Sequence, residues 1–291
     1  MQEEDLHKEI GQLRSKIKRL RKSLRDQTPP LSVLLRRRGF AVYRKEPPDD
    51  LLVPEKQFLD KYYERLKKYS FRLFLRDVIK HQPLFTSAEV VRYSTKEVTE
   101  QYMDFLSAAG LLTQMDATAG KPAYALARGP IRSFGATLEW FVAEFLKREL
   151  SVEAVWGVKM KRPAIGGDYD LLAKIDGSLL YMEIKSSPPK QIYQSEVRSF
   201  LDRVYDLVPE IAIFFVDTEL RMKDKIVPMF EEDLDKRYSP APEVNRMEKE
   251  LFEITGTATD IPRVFIINAK DSIIQNVEKV LAAYFRRYKI K

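Results

Sequence analysis

Gly166-Gly-Asp-Tyr-Asp-Leu-Leu-Ala-Lys-Ile-Asp-Gly-Ser-Leu-Leu-Tyr-Met-Glu-Ile-Lys185 is the stretch whose reading decides the fold. Within it, Asp176-Gly177 marks a two-residue hairpin turn, because such turns need left-handed backbone that glycine and aspartate tolerate. If the chain turns there, Ile175 faces Ser178, and each opposed pair sums to 353 in residue number. Asp170 then faces Glu183, and Asp168 faces Lys185. Side chains alternate along a strand, so these four share one face. Leu171, Ala173, Ile175, Leu180, Met182 and Ile184 fall on the other face, which reads as core. Two carboxylates set opposite each other repel. A divalent cation offsets that repulsion, and hard oxygen ligands suit Mg2+ or Mn2+. The competing reading is a set of exposed charges at a sheet end, with Lys185 neutralising Asp168.

Working outward, residues 131–150 form a strongly apolar helix, followed by a β-like stretch over 154–161. The hairpin strands span 168–175 and 178–185. Pro188-Pro189 precedes a helix at about 190–207, and Ile211-Ala-Ile-Phe-Phe-Val216 reads as a buried strand. The order is αβββαβ. Arg263–Asn268 adds a further buried strand, and 271–288 a closing amphipathic helix.

Asp170, Glu183-Ile184-Lys185 and the order of elements around them resemble the PD-(D/E)xK nuclease superfamily, which includes type II restriction enzymes and archaeal Holliday-junction resolvases. Gly167-Asp-Tyr-Asp-Leu-Leu is similar to the form in which a second acidic residue, here Asp168, stands two before the metal-binding aspartate. The proline of the superfamily's name is missing before Asp170. The resemblance covers about residues 131–220. It implies an α/β, restriction endonuclease-like core and Mg2+- or Mn2+-dependent hydrolysis of phosphodiester bonds, with DNA (duplex or branched) as the expected substrate. Asp170, Glu183 and the Ile184 main-chain carbonyl would hold the metal, and Lys185 would position or deprotonate the attacking water. The family also tends to place a glutamate on the first helix. Glu139 shares a helix face with Gly135, Val142, Ala143 and Leu146, so its carboxylate points among small and apolar neighbours and needs a partner or a metal. Glu144, the fallback, neighbours Arg148 in an ordinary surface pairing. Asp168 is another outer ligand or simply holds Lys185. Lys159, Lys161 and Arg162 form a basic cluster near the mouth of the site, a candidate nucleic-acid contact, and Lys190, Gln191 and Gln194, at the start of the next helix, are either contacts to the phosphate backbone or a solvated surface.

The N-terminal part reads differently. Leu6, Ile10, Leu13, Ile17, Leu20 and Leu24 recur at the 3.5-residue period of a coiled-coil seam, so residues 1–27 form a basic arm that dimerises, packs on its own chain or binds a partner protein. Residues 1–45 carry 13 Lys/Arg against 5 Asp/Glu, a net of +8, while the whole chain is +7; the other 246 residues sum to −1. Non-specific attraction to phosphate is therefore concentrated at this end. Residues 54–69 and 71–81 read as helices. Thr86-Ser-Ala-Glu89 and Ser94-Thr-Lys-Glu97 fit the capping-box pattern and announce two further helix starts. Strands follow at Leu111–Met115 and Ala123–Ala127. Three helices and a hairpin resemble a winged helix-turn-helix domain, within a helical region spanning 31–129. The helix that would read DNA has Lys96 but also Glu97, Glu100 and Asp104, so protein packing and DNA contact both stand open; Arg92, Lys96 and Lys121 are the contacts to test. The alternative function is then a winged-helix nucleic-acid-binding or regulatory protein whose nuclease-like domain, residues 130–291, is an inactive scaffold.

Composition excludes other classes. There is no cysteine, hence no disulfide or thiolate site. His7 and His81 lie in helical segments without a nucleophile–base arrangement, and no glycine-rich phosphate loop is present. No apolar run is long enough to span a bilayer, so a cytoplasmic protein without a membrane partner is expected.

Overall fold

A computed structural model describes residues 9–13, 15–17, 19–20, 22–23, 27–118, 121–161, 167–256 and 262–286, with backbone alone at 116–118 and 121. The architecture is mixed α/β. First come α1 (Leu31–Arg37) and β1 (Ala41–Arg44). A helical region follows, with α2 (Leu59–Leu66), α3 (Tyr69–His81), β2 (Phe85–Thr86), α4 (Lys96–Ala108), β3 (Leu112–Thr118) and β4 (Lys121–Leu126). Then come α5 (Gly135–Glu149), β5 (Glu153–Lys161), β6 (Asp168–Ile175), β7 (Ser178–Lys185), α6 (Gln194–Leu207) and β8 (Ile211–Val216). The last elements are α7 (Ile226–Arg237), β9 (Glu243–Glu248), β10 (Leu251–Thr255), β11 (Arg263–Asn268) and α8 (Ile273–Arg286).

Among the described residues, eight strands form one sheet in the order β1-β5-β6-β7-β8-β11-β10-β9. Pairing is parallel at β7–β8 and β8–β11 and antiparallel elsewhere. The predicted turn at Asp176-Gly177 is present, with φ of 46° and 87°. The register that it implies holds from Ile175↔Ser178 to Leu171↔Met182. Beyond that pair the ladder stops: the Ile184 N–H donates to Asp170 Oδ2 at 2.7 Å instead of to a β6 carbonyl. Strand β8 is buried at every position because helices cover both faces of the sheet, which is why it reads as an unbroken apolar run.

One face carries α5, α8 and the helical region, with Phe141, Val277 and Phe71 in a single core. The other carries α1, α6 and α7, whose Leu35, Phe200 and Phe230 pack on Tyr181 and Phe214. Residues 31–44, which the sequence groups with the helical region, pack with this sheet instead. β1 pairs with β5 at its edge, and Glu153 on β5 accepts the Leu31 N–H at 3.0 Å. The sequence also misses α7 and the β9–β10 hairpin, whose exposed, charged β9 shows no clean alternation.

In the helical region, the helix expected from Thr86 is one 3-10 turn, Ser87–Glu89, closed by the expected capping box. Too few residues separate it from the next start for a helix to offset its nucleation cost. The next helix is capped by Thr95, which accepts from Val98 N–H, and not by Ser94. β2, β4 and β3 form a small antiparallel sheet in that order. Of the arm, Ile10, Leu13, Ile17 and Leu20 are helical and exposed, while Leu6 and Leu24 lie outside the described residues.

The helical region is fastened to the main sheet through polar contacts inside the shared core. Leu52 N–H donates to Thr137 Oγ1 at 2.9 Å, and the Tyr62 hydroxyl to the Leu52 carbonyl at 2.6 Å. Arg72 on α3 is 1% exposed and forks onto Asp217, which is 0% exposed just past β8. Its Nε and Nη2 lie 3.0 and 2.9 Å from Asp217 Oδ1, and Arg76 also bonds that carboxylate. Removing one partner of such a pair strands a buried charge. Asp217→Ala is therefore expected to lower unfolding free energy by about 3–5 kcal/mol, read by urea denaturation; a change within experimental error would show that the contact does not fasten the regions.

Candidate active site

Four elements deliver the site: α5 brings Glu139, β6 brings Asp168 and Asp170, β7 brings Glu183 and Lys185, and α6 brings two residues that the sequence reading omits, Glu196 and Arg203. Glu183, 3% exposed, is the most engaged of the acids. Its Oε1 lies 2.9 Å from Lys185 Nζ, while its Oε2 accepts from Arg203 Nη1 at 2.9 Å and from the Tyr181 hydroxyl. Lys185 Nζ is also 3.0 Å from Glu196 Oε1. Glu196 and Arg203 stand seven residues apart and so share a face of α6, which is the signal that could have found them.

Asp168 does not reach Lys185. It pairs with Lys159 across β5–β6, Oδ1 to Nζ at 3.1 Å, directly opposite it in the register. The expectation that Asp168 holds Lys185 is thus corrected. The β6–β7 ladder ends at Leu171↔Met182, so the 353 rule does not extend to residue 168.

Glu139 and Asp170 are the unbalanced pair. Burial raises the Glu139 carboxyl to about 9, helped by the charges of Asp170, Glu183 and Asp168 and eased by the Gly157 amide. Burial likewise raises Asp170 to about 8, with Glu183 adding to the rise and Lys185, the Ile184 amide and Arg203 opposing it. For Lys185, burial pulls downward, but Glu183 and Asp170 outweigh it and lift the ammonium above its ordinary value. Lys185 is therefore held as a cation here, not a ready base.

Gly157 on β5 is a further residue missed from sequence. Its φ is +55°, and a Cβ built there would lie 2.5 Å from Pro47 Cδ and 3.7 Å from Glu139 Oε2. Only a residue without a side chain lets the 44–50 segment and the Glu139 carboxylate close over the strand together. A pocket of about 460 Å³ opens here, lined by Glu139, Asp170, Asp168, Lys159, Arg44 and Arg132 among others. Its cations are already paired: Arg44 with Asp49 at 2.7 Å and Arg132 with Asp50 at 2.6 Å.

The remaining predicted contacts are scattered. Lys161 is exposed at the β1–β5 edge, and Arg162 lies outside the described residues. Lys190 is exposed on a 3-10 turn, next to Gln191, and Gln194 Nε2 donates to the Met229 carbonyl at 2.7 Å. Arg92 lies over the Tyr93 ring, Lys96 is 3.9 Å from Glu100, and Lys121 opens β4. Glu144 bonds Arg148 at 2.9 Å, the surface pairing expected of it.

Among the described residues, no group of three or more Asp, Glu or His side chains is placed to hold a metal ion. The donor chemistry nonetheless suits a hard divalent cation, since burial and like charge disfavour ionised Glu139 and Asp170 by more than Lys185 and Arg203 offset. Both folded-state values lie above the ~4 of an unfolded carboxyl. Their stabilising contribution is thus complete below about pH 4 and lost as pH rises through about 8 and about 9. In EDTA, Asp170→Asn is expected to melt above wild type by a margin that widens between pH 5 and pH 9. A constant margin in calorimetric scans would contradict the coupling.

No protein-family profile matches the chain, and no curated protein sequence matches it. Among solved structures it is similar to Can2 from Sulfobacillus thermosulfidooxidans in complex with cyclic tetra-adenylate. The TM-score is 0.43 and the identity 16%, over 64% of this chain and 50% of Can2. It is also similar to protein VC1899 from Vibrio cholerae, with TM-score 0.46 and 12% identity, over 89% of this chain and 61% of that one. The chain thus spans half to three-fifths of these neighbours' length. Likenesses this distant carry no argument about activity. Among the described residues, no helix is long and apolar enough to cross a membrane.

Proposed function

We propose that the chain is a metal-dependent nuclease that hydrolyses phosphodiester bonds, with DNA as its substrate and Mg2+ or Mn2+ as its cofactor. The observation that carries this reading is the clustering of Glu139, Asp170 and Glu183, with burial and like charge holding the Glu139 and Asp170 carboxyls up although Lys185 and Arg203 oppose the rise at Asp170. Asp170, Glu183, the Ile184 carbonyl and Glu139 are the groups that would hold the metal. When bound, a divalent cation supplies a Lewis acid for the phosphate and lowers the pKa of water beside it.

The protein's own residues do the rest. Lys185 presents positive charge to phosphate oxygens as negative charge builds on them, a task suited to an ammonium held in place by Glu183 and Glu196. Arg203 and the Tyr181 hydroxyl fix one oxygen of Glu183, leaving Lys185 to share the other. Lys159 stands at the mouth of the pocket as a phosphate contact, and Lys161 extends that edge. The winged-helix reading of the helical region and pairing of two chains through the arm belong to the same proposal. The element order α3-β2-α4-β3-β4 supports the first, and the exposed apolar seam of the arm the second.

One observation favours the alternative, a nucleic-acid-binding protein on an inactive scaffold: both Glu183 oxygens are occupied by the chain's own cations. A cleavage panel separates the two readings, using duplex, branched and single-stranded DNA and RNA with Mg2+, Mn2+ or EDTA. Metal-dependent cleavage of DNA is expected, reduced at least about a hundredfold in Asp170→Ala and in Lys185→Ala. Equal cleavage by purified Asp170→Ala would sink the nuclease reading.

A further inference from the structure

A second pocket, of about 440 Å³, lies on the other side of the segment that joins the helical region to α5. Arg132 and Ser133 line both pockets and form the ridge between them. On the chain, Lys185 runs directly into Ser186 and Ser187, which line the second pocket. The opposite wall is the end of α3, through Arg76 and Lys80. The second pocket thus begins one residue past the catalytic lysine.

The two pockets differ in charge. The first mixes acids and cations, with Arg44, Lys159 and Arg132 each in an ion pair. No acidic side chain lines the second, whose polar groups are Arg76, Lys80, Arg132, serines and glutamines, although Arg76 and Arg132 pair with Asp217 and Asp50 outside that lining. Arg76 gives Nη2 to Asp217, but its Nε is buried without a hydrogen-bond partner. Lys80 is exposed, with no ion-pair partner among the described residues. Ile79, Ile131, Phe134 and Pro188 complete the lining. Donors and cations without acids, set among apolar groups, suit a polyanion, and continuity with a hydrolytic site selects a phosphodiester backbone.

We propose that the second pocket is a phosphate-backbone subsite, so that one nucleic-acid strand runs from Lys80 and Ser187 across the Arg132–Ser133 ridge to Asp170. The proposal rests on the nuclease reading for its direction toward Asp170. It gives the helical region a role through the flank of α3, whereas Arg92 and Lys96 line neither pocket.

The test measures binding of the full chain in EDTA, which stops cleavage, to a fluorescein-labelled single-stranded oligonucleotide and to the matching duplex, over a range of salt. Lys80→Gln and Arg132→Gln are each expected to weaken binding about three- to tenfold and to reduce the salt slope by about one. Lys61→Gln, exposed on α2 and lining neither pocket, keeps wild-type binding. The tighter of the two ligands identifies the strand form that the path takes. Wild-type affinity and slope in both Lys80→Gln and Arg132→Gln overturn the path, as does an equal loss in Lys61→Gln or a wild type that binds neither ligand. Cleavage with Mg2+ is scored separately. Lys80-dependent binding without cleavage sinks the nuclease reading alone, and cleavage with Lys80-independent binding sinks the path alone.

Discussion

Where the β6–β7 ladder ends, Asp170 takes its place: a carboxylate oxygen accepts the Ile184 N–H that a strand carbonyl would otherwise take. Much of the site depends on that substitution. It anchors Asp170 against the peptide that links Glu183 to Lys185, while β7 goes on pairing with β8 as far as Lys185. The two strands are thereby held together at one point without a further ladder, and the space beyond is left to side chains from α5 and α6. A buried carboxylate with only one backbone donor is poorly solvated, which is why its proton is held so firmly.

The same economy explains the unequal treatment of the acids. Glu183 has Lys185, Arg203 and Tyr181 around it, whereas Asp168 has Lys159 at the pocket edge. Glu139 has the Gly157 amide and little else. Charge is thus neutralised on the α6 side of the sheet and left uncompensated on the α5 side. An arrangement of this kind costs folding stability, and such costs cluster where a fold keeps chemistry. The left-handed backbone at Gly157 belongs to the same account, since it admits Pro47 and the Glu139 carboxylate against one strand position.

The helical region is not a separate body hung on this sheet. Its Tyr62 and Phe71 share a core with Phe141 of α5, and the Arg72–Asp217 pair ties α3 to the end of β8, the strand next to β7. That fastening places Arg76 and Lys80 along the wall next to Ser186 and Ser187. A surface that begins beside Lys185 therefore ends on a helix from the other half of the chain.

Local signals in the sequence settled a good deal. Asp176-Gly177 dictated the turn and hence the register of Leu171 to Ile175, because turn geometry and alternation act over a few residues. The apolar run Ile211–Val216 announced a strand buried on both faces, and Glu139 among small neighbours announced an inward carboxylate. Three things were beyond such signals. The partner of Lys185 depends on where the ladder stops and on α6, so Glu196 and Arg203 entered only with tertiary packing. The sequence groups β1 with the helical region because a short edge strand carries little pattern of its own until β5 lies beside it. The second pocket joins residues 76–82, 131–134 and 186–191, three segments that only long-range burial brings together. Periodicity reports which face of an element is buried; which elements meet there is decided by the packing of the whole chain.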